Sequence, residues 1–273
     1  MKKFLLTLLA ISCVVFLYLG NMYWKEKTTL VTSEEKDTTT VENSPSEEAP
    51  APEEEAGEEE GKKDLVSLIS NWPEEARTHF KELMKKGEPF KLAIVGSPAM
   101  GENENGWAPQ LKEKLSSELS SQVEVEIFQS EVTSIEFING EESDNVLAFE
   151  PDLVLLEPFS LTDNSNKVGT VQNHESILMF LRELKETNED SVLLLQPPHP
   201  LEGATYYPQQ IEELKEFAAE ESISYLDHWG SWPDDETLSD YLIESQDTPN
   251  EKGHEIWADY LIDYFINESS ESS

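Results

Sequence analysis

One cysteine in 273 residues leaves no pair for a disulfide, and that residue, Cys13, lies inside an N-terminal apolar run. The remainder of the chain therefore carries no thiol chemistry and no cysteine metal cluster. Basic residues are also scarce: 19 Lys and Arg stand against 57 Asp and Glu, for a formal charge of −38. Such a chain has no electrostatic footprint for nucleic acid and is repelled by anionic lipid. Phosphate-cradling loops are missing, since neither G-x-x-x-x-G-K-[ST] nor G-x-G-x-x-G follows a strand. There is no H-x-x-x-H pair, so no metal and no cofactor is expected.

What is present falls into three segments. Residues 1–27 open with Lys2 and Lys3 and continue as an apolar run from Phe4 to about Trp24, about the twenty residues that span a bilayer. The run ends in "YLGNMYW", with aromatics placed as at a membrane interface. The reading is an uncleaved signal anchor. Lipoprotein processing at Cys13 and a cleaved signal peptide are the alternatives. Residues 28–62 hold twelve acidic residues against one lysine between Thr32 and Gly61, among Pro, Ser and Thr. This composition cannot bury enough apolar surface to offset the entropy of ordering, so the segment reads as a disordered tether. Residues 63–273 suit one domain with a sizeable core. The expected placement is single-pass in the cell membrane, with this domain outside the cell, as a monomer.

Within 63–273 helical and strand patterns alternate. "FKLAIVG", "VEVEIFQ", "DLVLLEP", "SVLLLQPP" and "ISYLDHW" read as strands; the third and fourth are continuous apolar runs, as in buried parallel strands. "GWAPQLKEKLSSELS", "GTVQNHESILMFLRELKETN", "YYPQQIEELKEFAAEES" and "TPNEKGHEIWADYLIDYFINES" read as helices. Strand–helix alternation through five strands predicts a parallel α/β sheet with helices on both faces. Ligands then bind at the carboxyl ends of the strands. The candidates at that edge are Gly96-Ser97, Gln129-Ser130-Glu131, Glu157 to Asn164, Gln196 to Pro200, and His228-Trp229. Glu131 and Glu157 read as ordinary solvated acids.

The order of these elements and several short motifs resemble the SGNH/GDSL hydrolase superfamily across most of residues 90–266. "VGSPAMG…GW" is similar to the first family block, with Ser97 at the serine, Gly101 at the closing glycine and Gly106-Trp107 at the helix start. The family's aspartate before the serine is Gly96 here. In "FQSEVTS" Ser130 or Glu131 stands where a glycine N–H is usual. "PDLVLLEPFSLTDN" follows the strand of the third block, with Asn164 the nearest amide. "SQDTPNEKGHEIW" matches the last block at Pro249, Asn250, Gly253 and His254, while its catalytic Asp and His positions hold Ser245 and Thr248. "EPFSLTDN", "QPPHPLEGATYYPQQIEELKEFA" and "ISYLDHW" resemble a divergent exported branch found in Gram-positive bacteria.

The resemblance implies a flavodoxin-like three-layer α/β/α sandwich and a serine esterase. Ser97 would be the nucleophile, His254 its base and Asp247 the acid that orients the base. Asn164, Ser130 and the Ser97 backbone N–H would sit at the oxyanion, with His199 and His228 as substrate contacts or alternative bases. The substrate class would be an ester-bearing small molecule, glycan or lipid. The alternative is a catalytically inactive module of the same fold that binds glycan or a partner protein.

Overall fold

The structure is a computed structural model, and it describes residues 65–101, 103–243 and 248–268. The expected membrane segment, the whole tether and Asp247 lie outside the described residues. Among those described, no helix is long and apolar enough to cross a membrane.

In chain order the elements are α1 (Glu74–Lys86), β1 (Phe90–Gly96), α2 (Trp107–Leu119), β2 (Val123–Gln129), α3 (Ser134–Asn139), α4 (Glu141–Ala148), β3 (Leu153–Leu156), α5 (Ser160–Asn166), α6 (Thr170–Thr187), β4 (Val192–Leu195), α7 (Tyr207–Glu220), β5 (Ser224–Tyr225) and α8 (Glu251–Phe265). Local chemistry sets several boundaries. Glu74 and Glu75 begin α1, Lys85 and Lys86 end it, and Gly87 closes it at φ 73°. Thr133 and Glu136 form a capping box on α3. The Asn250 side chain accepts the Lys252 and Gly253 N–H groups and starts α8.

The five strands are all parallel, in the order β2-β1-β3-β4-β5. Helices cover both faces. Leu92, Ile94, Leu153, Leu155 and Leu194 point to the face packed by α1, α2 and α8. Ala93, Val95, Val154, Leu156, Leu193 and Leu195 point to the face packed by α3, α4, α6 and α7. β1, β3 and β4 are buried on both sides, which is why they read as unbroken apolar runs. β2 lies at one edge and keeps Glu124 and Glu126 in water. The expected α/β/α sandwich with a five-stranded parallel sheet is the architecture observed. Every strand delivers its carboxyl end to the same rim of the sheet.

Candidate active site

Ser97 follows the last residue of β1 and is 6 % exposed. It caps a single 3₁₀ turn, Pro98–Met100, by accepting the Ala99 N–H on Oγ at 3.3 Å. Its own N–H donates to Glu157 Oε2 at 2.8 Å. Its hydroxyl also acts on that carboxylate, drawing the Glu157 pKa down against burial.

Glu157 stands directly after β3, in the register that pairs Val95 with Leu156, and it is 1 % exposed. The reading of it as a solvated acid is therefore corrected: strand pairing turns this carboxylate into the protein, against Ser97. Gly96 makes the room. A Cβ there would stand 2.9 Å from the Glu157 Cβ and 3.1 Å from Oε2. The Phe159 N–H holds the other oxygen, Oε1, at 3.1 Å. Phe159 is buried and sits at φ 60°, a left-handed conformation that a bulky residue rarely takes. Burial pushes the Glu157 pKa up, and the hydrogen bonds from Ser97 and Phe159 pull against it.

His254, on the first turn of α8, packs against the loop after Ser97. A Cβ on Gly101 would meet its Cε1 at 3.1 Å and its Nε2 at 3.3 Å. Gly101 has φ 81° and also approaches the Cα of Gly106, so glycine is required at both places for the loop to close on the start of α2. His254 Nδ1 accepts the Trp107 N–H at 3.3 Å. A neutral imidazole accepting on Nδ1 carries its proton on Nε2. The ring thus offers a donor at Nε2, whereas a base needs a free acceptor. Burial holds its pKa down at about 4.

His228 is fully buried in the turn after β5. Nε2 donates to the Pro197 carbonyl at 2.8 Å, and Nδ1 accepts the Trp232 indole N–H at 2.9 Å. Both nitrogens are occupied, and burial pushes its pKa down to about 3. It is a neutral structural ring. His199 is fully buried too; its carbonyl accepts the Tyr207 hydroxyl at 3.1 Å, and its ring lies 6.4 Å from Trp257.

The remaining described candidates have other hydrogen-bond partners. The Ser130 N–H continues the sheet ladder to the Gly96 carbonyl at 3.0 Å. Asn164, on exposed α5, forms a reciprocal amide pair with Gln210 at 2.7 and 2.8 Å. Asp247 lies outside the described residues. Among the described residues no group of three or more His, Cys, Asp or Glu is arranged to hold a metal ion.

Glu157 was missed because an isolated glutamate at a strand end is usually solvated. The available signal was the glycine opposite it: an acid paired across a parallel ladder with a residue lacking a side chain can turn inward.

No family model and no curated protein matches this chain. Solved structures do. A carbohydrate esterase of family 3 from Talaromyces cellulolyticus superposes with a TM-score of 0.56 at 13 % identity, over 67 % of this chain and 100 % of that one. A protein described as a GDSL-like lipase, from Parabacteroides merdae, gives 0.54 at 11 % identity, over 64 % and 95 %. A protein described as lipolytic and of the G-D-S-L family, from Desulfitobacterium hafniense, gives 0.50 at 20 % identity, over 64 % and 98 %. At such identities the likeness concerns the fold. With its 2-1-3-4-5 parallel sheet and a serine at the end of β1, the chain has the fold of the SGNH/GDSL hydrolases.

Proposed function

We propose that the chain is a membrane-tethered serine ester hydrolase with Ser97 as its nucleophile. Residues 1–27 anchor it, residues 28–62 lift it from the bilayer, and the domain acts outside the cell on O-acyl esters of envelope glycan or lipid. The observation that carries the reading is the position of Ser97, at the carboxyl end of β1 with its backbone N–H on a buried carboxylate. In acyl transfer the serine oxygen attacks the ester carbonyl, the alcohol leaves, and water releases the acid. The fold neighbours described as esterases and lipases support this class of reaction.

A second reading is favoured by a specific observation. The three donors expected for an oxyanion are all engaged: Ser97 N–H by Glu157, Ser130 N–H by Gly96, and the Asn164 amide by Gln210. A domain that binds glycan or a partner protein without turnover needs no free donors there.

Fluorophosphonate treatment of the full-length protein in detergent separates the two. A phosphonyl adduct mapped by mass spectrometry to Ser97, and absent in Ser97→Ala, is the expected result. No adduct on protein with native circular dichroism overturns the hydrolase reading in favour of the binding module.

A further inference from the structure

We propose that Glu157, in place of a histidine, takes the proton of the Ser97 hydroxyl. The inference rests on the reading of Ser97 as a nucleophile and assigns its base. Four observations converge. The Ser97 N–H fixes Oε2 at 2.8 Å from the serine backbone. Oγ accepts the Ala99 N–H, which leaves its own proton for another acceptor, and the hydroxyl acts on the Glu157 carboxylate. The left-handed Phe159 pins Oε1, and Gly96 leaves the space that the carboxylate occupies. The acceptor nitrogen of His254 and both nitrogens of His228 are already committed elsewhere.

Burial strengthens the base: a desolvated carboxylate binds a proton more tightly than one in water and so comes closer to the working range of a general base. Asp163 on α5 and Tyr207 on α7 are the titratable groups that act on it among the described residues. Asp163 adds to the upward shift of Glu157.

The reaction consumes only the ester and water. The Oγ–H bond breaks as the bond from Oγ to the carbonyl carbon forms. The proton goes to Oε2 and the carbonyl π pair to the carbonyl oxygen. On collapse the alkoxide departs with that proton as the alcohol. Water then adds to the acyl-enzyme, giving its proton to Glu157, which returns it to Ser97 as the acid is released. A protonated carboxyl is a weaker acceptor than a carboxylate, so the Ser97 N–H is released toward the oxyanion as that charge develops.

The test is the rate of fluorophosphonate labelling of full-length protein between pH 4 and pH 9. Wild type is expected to label at Ser97 with a rate that rises with pH through a single ionisation. Glu157→Gln is expected to label about 10²–10⁴-fold more slowly, with no pH limb. Glu157→Asp is expected to keep a limb at a shifted midpoint. If Glu157→Gln does not fold, the Asp variant decides: an unmoved midpoint overturns the proposal. Labelling of Glu157→Gln within a few-fold of wild type and along the same limb overturns it as well, and leaves Ser97 as the nucleophile. Absence of labelling in folded wild type removes the serine reading itself.

Discussion

The imidazole of His228 lies flat on the indole of Trp257, with ring centroids 4.3 Å apart and planes 15° apart. Trp257 also stacks on Trp107 at 4.8 Å and donates its N–H to Gln196 Oε1 at 2.9 Å. This aromatic group joins α2, α8 and the turns after β4 and β5, so it fixes the rim of the sheet on which Ser97 stands.

Its first consequence is a dependence on acid. His228 is neutral in the folded protein down to about pH 3, against 6.5 for a free imidazole. Below pH 6.5 the unfolded chain binds a proton that the folded chain refuses, so stability falls as pH drops from about 6.5 toward about 3. His254, depressed to about 4, acts in the same direction. Glu157 opposes both, because a carboxyl raised by burial favours the folded state as acid is added. Urea midpoints measured from pH 7 to pH 4 should decline, and His228→Gln should decline less steeply than wild type.

Trp257→Ala should be among the most damaging single changes. It removes two stacking partners from a fully buried position and strands the Gln196 side chain. Large-to-small changes of this kind cost about 3–5 kcal/mol. Trp257→Phe keeps most of the packing and loses the hydrogen bond, so about 1–3 kcal/mol is expected. Urea titration of both variants checks the order.

Gly96→Ala should act on the site and on stability together. The new methyl would stand 2.9 Å from the Glu157 Cβ and 3.3 Å from the Met100 sulfur. Overpacking in such a place costs about 1–3 kcal/mol. It also pushes the carboxylate off Ser97, so labelling of Ser97 should slow. A loss of stability without any change in labelling rate would contradict the role assigned to Glu157.

Asp163→Ala should loosen the loop that presents Glu157. The Asp163 carboxylate receives the Ser134 N–H at 2.8 Å, the Ser134 hydroxyl at 2.6 Å and the Asn173 amide at 2.8 Å, tying α3, α5 and α6 together. Each donor left unpaired in the interior costs about 1–3 kcal/mol. Hydrogen exchange should report early opening at residues 157–170 in the variant.

Much of this architecture was legible in the residues. Unbroken apolar runs such as "DLVLLEP" mark strands buried on both faces, and the alternation of "VEVEIFQ" marks an edge strand with one wet face. Strand length was less legible: "ISYLDHW" reads as a full strand, but β5 is only Ser224–Tyr225, because Leu226 onward turns to bury His228 and Trp232. The sequence pattern assigns no element between β3 and α6, whereas Ser160–Asn166 is a helix, set by the left-handed turn at Phe159 that no local propensity suggests. For the site, sequence indicates the rim and Ser97. It does not indicate the partner, because the inward turn of Glu157 depends on a glycine sixty-one residues earlier, brought beside it only by sheet pairing.

The first and last described stretches are clasped to each other. The Trp72 indole donates to the Phe265 carbonyl, the Asn267 N–H donates to the Leu68 carbonyl, and the Asn267 amide reaches the Ser70 hydroxyl. These contacts lie at the carboxyl end of α8, while His254 lies on its first turn; fifteen residues of helix separate the two ends by about 22 Å. Both termini of the folded body thus leave from the pole opposite Ser97. A fusion partner joined directly at Leu65 or at Glu268 would therefore leave the rim that carries Ser97 uncovered.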